Sequence, residues 1–274
     1  MAQIKLVIPA RVPTIALSAH WHTYPDRFDW IAEHGFAIEY SPNPEAFALL
    51  PTHIDPLLKT GISVRYHGFF PRYEIGHADV TIADCAMHVH LSALEAMRGR
   101  GEQVITVHTG LDRKVPLDSG RVVANLSRLV QCAQNLGITV CLENLRRGPT
   151  SNPETVVEWA RESGAMITLD IGHAVSCRRV QSGELTPLDF VEMFADRLFE
   201  VHMYERETDR HHPPQDLTVI GPIVERLLTN PCPCTWWTIE LDDYNEALAT
   251  RTLLLDYLHA RQSALYSRKR EVRE

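Results

Sequence analysis

Nine side chains of metal-binding type stand at or just past the ends of short apolar runs. They are His67, His108, Glu143, Asp170, His173, His202, Asp209, His211 and Glu240. The runs read SVRYH, VITVH, TVCLE, MITLD, FEVHM and WWTIE. Imidazole nitrogen and carboxylate oxygen are the ligands that suit zinc, iron and manganese. One such residue at a strand end carries little meaning, because a hydrogen-bonded core histidine is the commoner arrangement. Six successive runs ending this way require those ends to meet at one place. Glu143 and Glu240 are the hardest to explain otherwise, since an unpaired carboxylate closing an apolar strand is costly to bury. Arg146 and Arg147 are close enough in sequence to neutralise them. The chain reads as a metalloenzyme whose ligand types suit zinc, iron or manganese.

The elements that must position these residues repeat in one rhythm. β-branched, apolar runs fall near 4–8, 36–40, 62–66, 104–107, 138–142, 166–170, 198–203 and 235–241. Helical periodicity fills the spaces at 80–97, 120–137, 152–164 and 186–197. Asn152 before Pro153 and Thr186 before Pro187 mark helix starts; Gly137 and Gly164 mark stops. Strand–helix alternation implies parallel pairing with right-handed crossovers, and eight such strands close a (β/α)8 TIM barrel. The expected α/β architecture is a single domain over 1–266 with a polar tail at 267–274. In such a barrel the carboxyl ends of the strands form the active-site rim, so all nine residues fall on one face.

Other histidines are read more conservatively. His20 and His22 flank Trp21 after the first strand, where pocket lining and packing are equally open. His88 and His90 belong to a helix, His77 reads as structural, and His34, His53 and His259 are remote from the rim.

Composition excludes several classes. The chain has 274 residues, 45% hydrophobic and 23% charged, with a net charge of −8. That balance disfavours nucleic-acid binding by charge alone, although bound metals add positive charge locally. No apolar run approaches the length of a membrane span. The N-terminal stretch lacks the pattern of a secretory signal. Six cysteines are scattered through helix and strand patterns, which favours reduced thiols in a cytoplasm. Cys232 and Cys234, in NPCPC, read as a loop rather than a metal site.

The order LEN at Glu143, LDIGHA at Asp170 and His173, DRHH at Asp209 and His211, and IEL at Glu240 resembles the xylose-isomerase-like barrel superfamily. Its members include endonuclease IV and the sugar (phosphate) isomerases and epimerases. The resemblance spans nearly the whole chain. The full set of nine is similar to endonuclease IV, which hydrolyses phosphodiesters with three zinc ions. It implies a first metal on His67, His108 and Glu143. The second would lie on Glu143, Asp170, His202 and Glu240, with Glu143 bridging; the third on His173, Asp209 and His211. The isomerases resemble it with only Glu143, Asp170, His202 and Glu240.

Two mechanisms follow. In a phosphoester hydrolase, hydroxide bridging two metals attacks while Arg146, Arg147 or Arg210 grips the phosphate. In an isomerase or epimerase, Glu143 and Glu240 shuttle a proton across the substrate, with His173 orienting it. The residues assigned to the first and third metals favour hydrolysis. The sequence departs from the endonuclease at HHPPQDLTVIG, where Pro213 and Pro214 replace a Gly-rich stretch. The loops that would enter duplex DNA are not recognisable, leaving Phe69, Phe70, Arg72 and Tyr73 as a candidate wedge. The expected substrate is therefore a small phosphorylated or sugar-like molecule rather than duplex DNA. A metal-binding barrel without catalysis is a third class. Oligomeric state is not indicated.

Overall fold

A computed structural model describes residues 12–229 and 234–271. Eight strands pair in parallel and close on themselves: β1 (Thr14–His20), β2 (Ala37–Ser41), β3 (Val64–Gly68), β4 (Val104–Val107), β5 (Thr139–Glu143), β6 (Met166–Asp170), β7 (Leu198–Met203) and β8 (Trp236–Ile239). β1 pairs with both β2 and β8, which completes the barrel. Seven of the expected runs coincide with these strands. The first strand is TIALSAH rather than the run at 4–8, which lies outside the described residues. No helix of the described residues is long and apolar enough to cross a membrane.

The helices form for the reasons the sequence offers. The helix Ser119–Asn135 buries Val122, Leu126, Leu129, Val130 and Ala133, the three-and-four spacing of one apolar stripe. The helix Val80–Met97 starts where Asp79 accepts the Thr81 and Ile82 amides. The helix Pro153–Ser163 ends on Gly164, whose φ of 81° is the left-handed conformation a helix stop needs. At the helix Pro187–Phe194 the Asp189 carboxylate accepts the Thr186 amide, closing a capping box. Asn152 precedes the helix Pro153–Ser163 but makes no side-chain cap; its amide turns back to the Pro149 carbonyl. The last helix, Tyr244–Glu271, runs on into the stretch read as a tail.

The barrel interior is polar and layered. Side chains alternate faces along a strand, so residues two apart share the inside. Below the rim, Arg65 pairs with Glu102 at 2.8 Å and Glu200 at 3.3 Å. Thr106 meets Thr168 at 2.7 Å, and Thr238 donates to Glu200 at 3.2 Å. Two residues further along each strand come His67, His108, Asp170, His202 and Glu240. The hydrogen-bonded lower layer is the floor on which the rim donors stand.

Candidate metal centre

His67, His108, Glu143, Asp170, His202 and Glu240 are all buried at the carboxyl ends of β3 to β8. Glu143 is their hub. Its Oε2 lies 2.8 Å from His108 Nε2, 3.5 Å from His67 Nε2 and 3.4 Å from His202 Nδ1. His202 Nδ1 is also 3.3 Å from Glu240 Oε1. Yet Glu143 Oε2 and His202 Nδ1, both buried, make no hydrogen bond. Buried polar atoms left without partners are rare and expensive. Several converging on one point are what a divalent cation would satisfy, and the donor types are those zinc accepts.

Charge supports the same fit. Burial alone would raise Glu143, but the His108 and His202 imidazoles overcome it and hold the carboxyl well below its usual range. Glu240 is pushed well up by burial, reinforced by the neighbouring carboxylates Glu143 and Asp170. Burial also raises Asp170. Burial opposes protonation of His202, but Glu240, Glu39 and Glu143 outweigh it and hold the ring proton well above the ordinary range. His173 is raised similarly, chiefly by Asp170. Carboxylates packed this closely need positive charge among them.

A second group adjoins the first. His173 follows Asp170 on the short helix Ile171–Ser176, where Asp170 Oδ1 accepts the His173 amide at 2.6 Å. His173 Nδ1 donates to the Asn144 carbonyl at 3.0 Å, and His211 Nδ1 to the Glu240 carbonyl at 2.9 Å. A carbonyl can only accept, so both rings have an Nδ1 proton fixed in place. When neutral, each therefore offers an Nε2 lone pair. The carboxylate between them is Glu207, whose Oε2 is 3.3 Å from His173 Nε2. His173, Glu207 and His211 have donor atoms within 4.8 Å of one another.

Asp209 is not brought into that group. It sits at the tip of a two-strand hairpin, Arg206–Glu207 against His211–His212. Its side chain is 88% exposed and pairs with His212. The position of the turn explains the exchange: residues 207 and 211 are partners across the hairpin, whereas 209 lies in the turn between them. Arg146 clamps this hairpin, donating to the Glu207 and Thr208 carbonyls at 2.7 and 2.8 Å and pairing with the Glu207 carboxylate. Arg210 is held by Glu246 through two hydrogen bonds. Of the three expected phosphate ligands, Arg146 and Arg210 are thus committed to protein partners. Arg147, joined by the unforeseen Arg113, lines the cleft without an ion-pair partner among the described residues.

The cleft above the donors has a volume of about 530 Å³. His20, Phe69 and Leu111 line it, so His20 belongs to the pocket. The candidate wedge separates: Phe69 is exposed at the mouth, Arg72 faces solvent, and Phe70 is buried against His90. Cys232 lies outside the described residues.

Besides Arg113, two carboxylates escaped the sequence reading. Glu39 on β2 is fully buried and 3.0 Å from His202 Nε2. It is the one charge inside FAIEY, the signal that singled out Glu143, but it does not close its run. Glu207 was overshadowed by the DRHH motif two residues on.

The family model described as "Xylose isomerase-like TIM barrel" matches residues 28–253. An uncharacterized protein of Methanocaldococcus jannaschii is 38% identical over 166 residues, which cover 60% of this chain and 70% of that protein. A D-tagatose 3-epimerase-like protein superposes with a TM-score of 0.70 at 19% identity, covering 92% of this chain and 99% of that one. Endonuclease IV from Thermus thermophilus superposes at 0.67 and 15% identity, covering 90% of this chain and 100% of that one. At those identities the two structures speak for the fold alone.

Proposed function

The chain belongs to the xylose isomerase-like TIM barrel family, and from that premise we propose that it is a divalent-metal-dependent phosphoester hydrolase acting on a small phosphorylated substrate. The observation that carries this reading is the position of Glu143. One carboxylate oxygen faces the His67–His108 pair on one side and His202 on the other. That placement suits a carboxylate shared between two cations. A single-cation isomerase has no evident use for the His67–His108 pair.

His67, His108 and Glu143 would hold one ion, and Glu143, Asp170, His202 and Glu240 the next. His173, Glu207 and His211 would hold a third, replacing the expected Asp209. Zinc fits this mixture of imidazole and carboxylate best; manganese or iron would also fit. Such ions supply Lewis acidity toward a phosphoryl oxygen and lower the pKa of water. The chain's own residues do the rest. Arg147 and Arg113 reach into the cleft as forked donors matched to phosphate oxygens. Phe69 and Leu111 give the cleft an apolar edge. Cys85, Cys132, Cys141 and Cys177 are unbridged, which supports a reducing, cytoplasmic setting.

One observation favours a second reading, sugar epimerisation. Their surroundings hold the Glu143 carboxyl well below the usual range and push that of Glu240 well above it, the opposite shifts that suit a base and an acid. Glu143 would take a proton from the carbon beside a carbonyl, and Glu240 would return one from the other face. Structural likeness to an epimerase and to an endonuclease leaves both open at the level of fold.

The deciding experiment couples elemental analysis of protein purified without chelator to two assays. Hydrolysis predicts more than one metal per chain and phosphate release from phosphoesters. One metal or fewer, with ketoses converted and no phosphate released, overturns it in favour of epimerisation.

A further inference from the structure

Glu39 meets His202 at Nε2, the ring nitrogen opposite the one that faces Glu143 and Glu240. Both side chains are fully buried. His202 Nε2 is 3.0 Å from Glu39 Oε2 and 3.2 Å from Oε1, so it meets the carboxylate with both oxygens in reach. The other ring nitrogen, Nδ1, faces Glu143 and Glu240 and has no hydrogen-bond partner. A neutral imidazole has one N–H and one lone pair, and an ionised carboxylate can only accept. Placing the proton on Nε2 therefore satisfies Glu39 and leaves Nδ1 bare. The opposite tautomer would set a lone pair against the buried Glu39 carboxylate and leave Nδ1 unable to coordinate.

Glu39 is fixed for this task by the sheet. On β2 it is in register with Ser18 of β1 and Arg65 of β3. Its carboxylate also lies within 4.8 Å of donor atoms of His67 and Glu240. One buried residue thus borders two of the histidines assigned to different ions.

We propose that Glu39 is a positioning residue: it accepts the Nε2 proton of His202 and so presents the Nδ1 lone pair to a divalent cation held with Glu143, Asp170 and Glu240. This rests on the metal reading given above. Partners of this kind behind a ligating histidine set its orientation and raise its basicity, and losing one weakens metal binding about 10–100-fold.

The test is zinc titration of the full chain after chelator treatment, by calorimetry, for wild type, Glu39→Leu and Glu39→Gln. Leucine removes the acceptor at similar size; glutamine keeps one oxygen. Glu39→Leu is expected to weaken one zinc-binding step by about 10–100-fold, and Glu39→Gln to leave every step within a few-fold of wild type. In zinc-loaded, ¹⁵N-labelled protein, a downfield N–H signal from His202 Nε2 should appear in wild type and Glu39→Gln and vanish in Glu39→Leu. Equal zinc affinity in wild type and Glu39→Leu overturns the role of Glu39 alone. So does zinc-loaded wild type lacking that N–H, a result that stands even where Glu39→Leu does not fold. Wild-type protein that takes up no zinc overturns the metal reading, and this inference with it.

Discussion

The ring of Tyr204 lies flat on the imidazole of His211, with centroids 3.9 Å apart and planes 5° from parallel. Its hydroxyl donates to Asp170 Oδ2 at 3.0 Å. One side chain therefore ties a strand-end donor to a hairpin donor. Room for it exists because residue 172 is glycine: a Cβ there would stand 1.9 Å from Tyr204 Cε2.

Gly172→Ala should accordingly displace Tyr204. Overpacking of this kind costs about 1–3 kcal/mol, and the loss should show in thermal or urea denaturation. Zinc uptake should fall with it, because Asp170 and His211 lose a common support. Tyr204→Phe keeps the ring stacking but leaves the buried Asp170 Oδ2 without this donor, which should cost about 1–3 kcal/mol. An alanine variant as stable as wild type would show that the tyrosine has other places to go.

Glu207 and Asp209 make opposite predictions for metal content. Glu207→Ala and His211→Ala should each lower the number of ions per chain by elemental analysis. Asp209→Ala should leave it unchanged, since that carboxylate is in solvent and bonded to Thr208. The reverse pattern would mean that the hairpin turns over on loading.

Metal uptake should depend steeply on pH. His173 and His202 hold protons well above the ordinary histidine range, owing to Asp170 and Glu240 respectively once burial is overcome. A cation entering must displace those protons, so zinc affinity should rise as pH rises through the raised values. Calorimetry in buffers of different ionisation enthalpy should record proton release on zinc binding. A release of none would contradict the charge state of these two rings.

Acid stability has a separate source in His90. Burial pushes its pKa down to about 4 from an ordinary 6.5, and its Nε2 is 3.2 Å from the Tyr73 carbonyl. Between those pH values the unfolded chain binds a proton that the native chain refuses. Stability is thus intact above pH 6.5 and falls as pH drops toward 4, by up to about 3 kcal/mol. His90→Leu should flatten that limb in urea titrations run between about pH 7 and 4.

Much of this was legible in the sequence. The strand ends carrying His67, His108, Glu143, Asp170, His202 and Glu240 follow from apolar runs closed by metal-type residues, and a barrel forces such ends together. Gly164 and Thr186 act as the helix signals they resemble. What stayed hidden depends on geometry that periodicity does not carry. Which hairpin carboxylate turns inward depends on where its turn falls, so Glu207 could not be separated from Asp209. Arg146 and Arg210 look like phosphate ligands until the hairpin and Glu246 claim them. Glu39 sits mid-strand at the Nε2 side of His202, and only closure of the sheet brings β2 across to β7. The first barrel strand, TIALSAH, carries a weaker strand signal than IKLVI before it, so local pattern favours the earlier run.

The donors divide by how they are tethered. Six are rooted in six different strands, each braced by neighbours on both sides, so altering their spacing means altering the barrel. Glu207 and His211 instead hang on one short hairpin, held from outside by Arg146 and by the flat face of Tyr204. That segment is a replaceable part. A shift of turn, or a lost clamp, would move Glu207 and His211 away from His173 without altering a barrel strand. The hairpin donors and the strand donors thus stand on separately supported lengths of chain, and residues 206–212 can be exchanged without altering a barrel strand.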